Sequence, residues 1–286
     1  MSYKDLLEPH QRDDLSDAGK FRSGLWRDTN KTCQKHGEMI IEMTIPNTGK
    51  VIQFCKACTI EEKDKKHKMD VDAYEQKELD YRSYDILRRE SIVPRESVEA
   101  SLETYTVDNW TTEEACQFAK DKVRMYLAGL SGNVLFVGKS GAGKTHLAMS
   151  IAKAVNDGFK RNHQAKKVLF VNMGLLVQKI YGSRFGELDS RYSFEHWTKL
   201  MTDADVLVLD DIGKESGGDS RLNTVKDGVF RLLYDVLSNR DNTIITTNLS
   251  SEDLIGVYGE PLVSRMLARS GGNIFTFDEK AKDRRR

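Results

Sequence analysis

Residues 133–145, Asn133-Val134-Leu135-Phe136-Val137-Gly138-Lys139-Ser140-Gly141-Ala142-Gly143-Lys144-Thr145, decide the fold. The apolar run reads as a buried strand, and the residues from Gly138 to Thr145 fit G-x-x-x-x-G-K-[ST] in full. Behind them Leu147, Ile151, Ala152 and Val155 recur on one face of a helix. In this strand–loop–helix order, glycines let the backbone curl so that successive N–H groups aim at phosphate oxygens, and the helix N-terminus adds its positive end. Lys144 can reach β- and γ-phosphates, and the Thr145 hydroxyl can take one Mg²⁺ position. A plain glycine-rich turn would need neither residue. The candidate phosphate cradle is therefore Gly138, Lys139, Ser140, Gly141, Ala142, Gly143, Lys144 and Thr145.

Two later strand ends supply partners. Asp205-Val206-Leu207-Val208-Leu209-Asp210-Asp211 is apolar and closes on two carboxylates. Strand ends of a parallel sheet open on the ligand crevice. Asp210 is thus a candidate to hold Mg²⁺ through water, and Asp211 a candidate general base for the attacking water. Acids also end strands as solvated turn formers, but the loop upstream gives this pair a job. Thr243-Ile244-Ile245-Thr246-Thr247-Asn248 ends in small polar groups, where Asn248 could bond the γ-phosphate or the lytic water. Adjacent carboxylates followed by a polar strand suit water activation, which argues against a small-molecule kinase.

Short apolar runs at 133–137, 168–171, 206–209, 243–246 and 273–277 have the character of buried parallel strands. Helical patterns separate them: Ala115, Phe118, Ala119, Val123, Tyr126 and Leu127 before the first, and Val225, Val229, Leu232, Leu233 and Val236 before the fourth. The expected class is α/β, a mostly parallel sheet with flanking helices.

Of 286 residues, 44 are Lys or Arg and 44 Asp or Glu, so the net charge is zero and gives no argument for nucleic acid, membrane or acidic partners. No run approaches the ~18 apolar residues of a membrane span. The start, residues 1–14, lacks the apolar core of a signal peptide. The expectation is a cytoplasmic protein without membrane contact, in which clustered cysteines bind metal rather than form disulfides.

Cys33-x2-His36 and Cys55-x2-Cys58 are separated by 18 residues. Strand-like runs at 39–45 and 50–54, joined by Pro46-Asn47-Thr48-Gly49, make a hairpin between the two pairs. The set Cys33, His36, Cys55 and Cys58 matches a closed, structural Zn²⁺ site. Cys116, alone on an apolar helix face, reads as core. The expected organisation is an arm over 1–30 (a short helix or a flexible segment), a zinc module over 31–60, a charged helical linker over 61–94 and an ATPase domain over 95–286. Lys179, Tyr181, Arg184, Phe185, Arg191, Tyr192, Phe194 and Trp197 interleave cations with aromatics, a pattern that could stack and bind single-stranded DNA. Glu187, Asp189 and Glu195 dilute it.

Together these residues resemble the AAA+ ATPases, and more closely the DnaC/DnaI-type replicative helicase loaders and the IstB-like ATP-binding proteins. The likeness runs from about Val98 to the C-terminus, through Ala100-Ser101-Leu102-Glu103-Thr104-Tyr105-Thr106-Val107, the phosphate loop with His146-Leu147-Ala148, the acid pair, Asn248 and Ser264-Arg265-Met266. It implies a magnesium-dependent ATPase whose nucleotide site includes His146, with Asn248 as first sensor and Arg265 as an arginine finger acting on a neighbouring subunit; Arg269 is the rival finger. Only nine residues follow Phe277, so a separate helical lid is not expected; a second sensor would then fall in 283–286, at Arg284. The resemblance further implies self-association through the ATPase domain, weak binding of single-stranded DNA, and a DnaB-type helicase gripped by the N-terminal region. The alternatives are a transposition-helper ATPase and a nucleotide-gated adaptor with negligible turnover.

Overall fold

The computed structural model describes residues 20, 25–45, 48–182, 190–213 and 223–278. The chain divides into two compact units, Met1–Gln76 and Lys77–Arg286.

In the first unit β1 (Trp26–Thr32), β2 (Met39–Thr44) and β3 (Val51–Cys55) form an antiparallel sheet in that order, and α1 (Lys56–Arg82) follows. The expected hairpin is present: Ile40 pairs with Cys55 and Thr44 with Val51. Its turn closes through Ile45 N–H to Lys50 O at 2.8 Å and Gly49 N–H to Ile45 O at 2.9 Å. Residues 1–19 and 21–24 lie outside the described residues, and over 26–30 the expected helix or arm is replaced by β1. Its sequence, WRDTNKT, shows no alternation, because it is an edge strand held by pairing with β2 and by the Trp26 ring set edge-on to Phe54 at 5.8 Å. Only Ile41 and Cys55 are buried in this sheet. So small a core leaves room for a metal as stabiliser. α1 buries no residue, as its mixed-sign charge pattern predicts for a solvated helix.

The second unit contains α2 (Ile86–Arg89), α3 (Trp110–Leu127), β4 (Val134–Val137), α4 (Lys144–Arg161), β5 (Val168–Asn172), α5 (Met173–Gly182), α6 (Phe194–Thr202), β6 (Val206–Ile212), α7 (Asn223–Ser238), β7 (Thr243–Thr247), α8 (Ser251–Met266) and β8 (Ile274–Thr276). The five strands are parallel, in the order β5-β6-β7-β4-β8. Side-chain alternation divides the core. Val134, Phe136, Phe170, Val208 and Ile244 face α3 and α4, while Leu135, Leu169, Leu207, Leu209 and Ile245 face α5 to α8. Both faces are covered, which is why the strands read as continuous apolar runs. Cys116 is buried in this core. This is the AAA+-type P-loop architecture, with β7 inserted between the loop strand β4 and the acid-bearing strand β6.

Packing of this unit begins well before residue 95. Tyr84, Leu87 and Ile92 are buried, and Ile92 adds a parallel bridge to the edge strand β5 through Ile92 N–H to Phe170 O and Asn172 N–H to Ile92 O, both 2.9 Å. Among the described residues no helix is long and apolar enough to cross a membrane.

Candidate functional site

The phosphate loop leaves β4 and enters α4. At Gly138 (φ 154°) a Cβ would stand 2.8 Å from Phe277 Cβ, and at Gly143 (φ 98°) 3.0 Å from the Tyr105 ring. Both positions require glycine. Lys144 is 5% exposed, and its ammonium donates to Gly138 O (2.7 Å), Lys139 O (2.9 Å) and Asn248 Oδ1 (2.6 Å). The ammonium is therefore folded into the concavity that its own loop encloses. Phosphate oxygens would offer the same acceptor chemistry with charge added.

The acid pair sits across β7 from the loop. Asp210 is fully buried; its Oδ1 accepts from Thr145 Oγ1 (2.8 Å) and Thr246 Oγ1 (2.7 Å), and its Oδ2 from Asn172 Nδ2 (2.8 Å). Burial raises its pKa above the ordinary carboxylate value; the three hydrogen bonds pull the other way, and the Asp211 charge adds a smaller upward push. The β6–β7 register shifts between Leu209 and Ile212. There Asp211 takes a left-handed φ of 61°, an unusual conformation that Asp tolerates better than most residues. The irregularity lets consecutive carboxylates both reach polar groups at the crest, where regular alternation would send them to opposite faces. Asp211 N–H donates to Thr246 Oγ1 at 2.8 Å, and Asp211 Oδ1 accepts from Asn248 Nδ2 at 3.3 Å. Asn248 thus bridges Lys144 to Asp211. Thr145 and Asp210 offer hard oxygen donors side by side, the chemistry Mg²⁺ takes.

Sequence reasoning did not single out Asn172 or Thr246. Asn172 ends β5 and Thr246 is the penultimate residue of β7, the two strands that flank β6, and Asn172 is in register with Asp210; only the strand order makes them neighbours of the acid. The 100–105 segment forms a wall beside the loop. Tyr105 packs on Gly143 and meets the His146 ring edge-on at 5.3 Å, and His146 Nε2 donates to Ser101 O at 2.9 Å.

Arg265 lies apart from this cluster. Its carbonyl accepts from Asn133 Nδ2 (3.1 Å) ahead of β4, whereas the loop follows β4, about 16 Å farther along the strand. Its guanidinium turns to α7, donating to Ser238 Oγ (2.6 Å) and Tyr234 OH (2.6 Å) and stacking 3.9 Å from the Tyr234 ring. Arg269 donates to Asp241 at 2.6 Å. Arg284 lies outside the described residues, as do Arg184 and Phe185. Of the remaining aromatic–cation stretch, Trp197 is buried, and Tyr181 and Phe194 pack edge to face at 5.8 Å against Gly228. Trp197 belongs to the core, which corrects the expectation that it stacks bases, whereas Tyr181 and Phe194 are half-buried and pack against that core. Lys179 remains over the Tyr192 ring, 5.0 Å from its centre.

The first unit brings Cys33, His36, Cys55 and Cys58 together, with all four candidate ligand atoms within 4.8 Å of one another. Cys33 and Cys58 sulfurs lie 3.7 Å apart, and His36 Nδ1 lies 3.7, 3.7 and 3.3 Å from the sulfurs of Cys33, Cys55 and Cys58. A zinc tetrahedron with Zn–S of about 2.3 Å and Zn–N of about 2.0 Å has edges of about 3.8 Å (S–S) and 3.5 Å (S–N). The residues fit that ion. Backbone N–H groups of His36 and Lys35, then the His36 ring, draw the Cys33 thiol down to about 6; its hydrogen bond in turn pushes Cys58 up to about 11.

A family model described as IstB-like ATP binding protein matches residues 63–270. A Bacillus thuringiensis subsp. berliner protein, described as an insertion sequence IS232 ATP-binding protein, is 28% identical over 136 residues, which cover 47% of this chain and 48% of that one. The match thus spans about half the length of that curated relative. Among solved structures, the DnaC helicase loader is 24% identical with a TM-score of 0.49, covering 65% of this chain and 100% of that one. DnaI is 22% identical with a TM-score of 0.45, covering 68% and 95%.

Proposed function

The chain belongs to the IstB-like ATP-binding protein family, and on that premise we propose that it hydrolyses ATP with Mg²⁺ and uses the cycle to load a replicative DNA helicase. One observation carries the hydrolytic part: Asn248 links the Lys144 ammonium to the Asp211 carboxylate, while Thr145 and Asp210 meet beside them. Mg²⁺ would neutralise triphosphate charge between Thr145 and Asp210. Lys144 exchanges its loop carbonyls for phosphate oxygens. Asp211 accepts a proton from water as the water oxygen bonds to the γ-phosphorus and the bridging P–O bond breaks, leaving ADP and phosphate. Asn248 orients that water. Tyr105 and His146 wall the nucleotide side of the loop.

Arg265 acts on a neighbour's site, a reading supported by its position beyond the opposite end of β4 from its own loop. Assembly through the ATPase unit then completes each site, and the metal-stapled N-terminal unit is the grip on a DnaB-type helicase. Single-stranded DNA is a weak further ligand. A second reading, a transposition helper acting with a transposase, is favoured by the IstB-like family and the IS232 relative.

The test is size-exclusion of the full chain with ATP and Mg²⁺, mixed with the host's DnaB-type helicase or with an IS21-type transposase, alongside phosphate release. Co-elution with the helicase and measurable turnover are expected. Co-elution with the transposase alone overturns the loader role. Nucleotide-dependent binding with no phosphate release leaves a nucleotide-gated adaptor.

A further inference from the structure

We propose that Glu61 is a positioning residue of the Cys33/His36/Cys55/Cys58 centre, holding the His36 ring so that Nδ1 faces the metal. This rests on the reading of those four residues as a metal site. The carboxylate Oε1 accepts from His36 Nε2 at 2.9 Å, while Nδ1 of the same ring points at the three sulfurs. A neutral imidazole has one N–H and one lone pair. A carboxylate can only accept, so it fixes the proton on Nε2 and leaves the Nδ1 lone pair for the ion.

The sequence places Glu61 for this task. It follows Cys58 by three residues on α1, so both side chains share one helix face and lie over the same cluster. Its second oxygen is held as well: Oε2 pairs with Lys35, which lies between Cys33 and His36 in the knuckle. That knuckle closes through Gly37 N–H to Cys33 O at 2.8 Å, with Gly37 at φ 69°. One carboxylate thus spans from the helix that carries Cys58 to the turn that carries Cys33 and His36. The imidazole side chain is 17% exposed and that of Glu61 48%. The bond is therefore partly screened, and its effect belongs to ligand orientation more than to gross stability.

The bland account is a surface ion pair in which Lys35, 65% exposed, is the partner that matters. Three variants of the whole 286-residue chain, loaded with zinc, separate the two: Glu61→Ala, Glu61→Gln and Lys35→Met. Alanine suits a helix, so α1 is retained. Zinc affinity is read by competition with a chromogenic chelator, and the ligand field by the d–d absorption of the cobalt-loaded protein. Glu61→Ala is expected to weaken zinc binding about 10–100-fold and to shift the cobalt bands. Glu61→Gln keeps an acceptor oxygen and is expected to recover most of both, and Lys35→Met to stay within about threefold of the parent. A Glu61→Ala protein with parental affinity and spectrum overturns the proposal while the metal centre stands. Equal losses in Lys35→Met and Glu61→Ala also overturn it, in favour of the ion pair. A parent chain that takes up no zinc or cobalt removes the metal reading itself.

Discussion

Asn248 Oδ1 accepts from the Lys144 ammonium at 2.6 Å, and the other end of the same amide donates to Asp211. One neutral side chain thus touches both the cation that would meet phosphate and the carboxylate that would meet water. An amide can do this because it is donor and acceptor at once. Asn248→Asp gives Lys144 a charged partner that nucleotide must displace. Charge-assisted hydrogen bonds contribute about 1.5–3 kcal/mol, so ATP affinity is expected to fall roughly 10- to 100-fold. Asn248→Ala is expected to leave affinity within a few-fold and reduce turnover. Calorimetry and phosphate release on the two variants check the split.

Asp211 is held at φ 61°, where asparagine is among the few side chains that sit without added strain. Asp211→Asn therefore isolates the charge. Loss of a general base costs about 10²–10⁴-fold in rate, so turnover should fall within that range while magnesium-dependent ATP binding persists. Turnover equal to the parent's removes Asp211 from its role.

Asp210 makes the site pH-sensitive in a definite direction. Burial raises its folded pKa above the unfolded value of about 3.9, so the ionised form costs native stability at neutral pH. That cost is relieved as pH falls through the raised folded value. The proton that relieves it also removes the charge that would hold Mg²⁺. The magnesium-dependent part of nucleotide affinity is expected to decline on acidification above the usual carboxylate range. In Asp210→Asn it should be small and flat with pH. Titration calorimetry with and without Mg²⁺ between pH 8 and about pH 5 reads the difference.

Thr246 Oγ1 donates to Asp210 and accepts from Asp211 N–H, so it ties the two acids together from β7. Thr246→Val keeps the shape, leaves a buried carboxylate one donor short and removes an acceptor from the partly buried Asp211 N–H. Such losses cost about 1–3 kcal/mol each. Denaturant unfolding of the nucleotide-free protein should show a drop of that order, largely restored in Thr246→Ser.

The phosphate loop, the acid pair and the grouping of Cys33, His36, Cys55 and Cys58 were legible because spacing along the chain encodes the geometry that brings each set together. The roles of Asn172, Thr246 and Glu61 were not, since each acts through a partner on another element that spacing along the chain does not reveal. β1 escaped because an edge strand with one apolar residue lacks alternation. Trp197 misled for the opposite reason. Interleaved cations suggested a nucleic-acid surface, yet the Trp197 position is decided by helix packing against the sheet, which composition does not reveal.

Arg265 supplies the last test, because its side chain is committed to Tyr234 and Ser238 while its own loop lies beyond the far end of β4. A finger that works only between subunits has a distinctive signature. Arg265→Ala chains keep an intact loop, and Lys144→Ala chains keep an intact finger, so each variant alone should be nearly inactive. Mixed, they form interfaces in which a Lys144-bearing site faces an Arg265-bearing neighbour. Fingers supplied in trans accelerate other NTPases about 10³–10⁵-fold, so even a minority of such interfaces should lift phosphate release well above either parent. With co-assembly verified by light scattering, a mixture no more active than its components would assign Arg265 to the α7–α8 packing alone, and Arg269, paired with Asp241, would become the finger to test next.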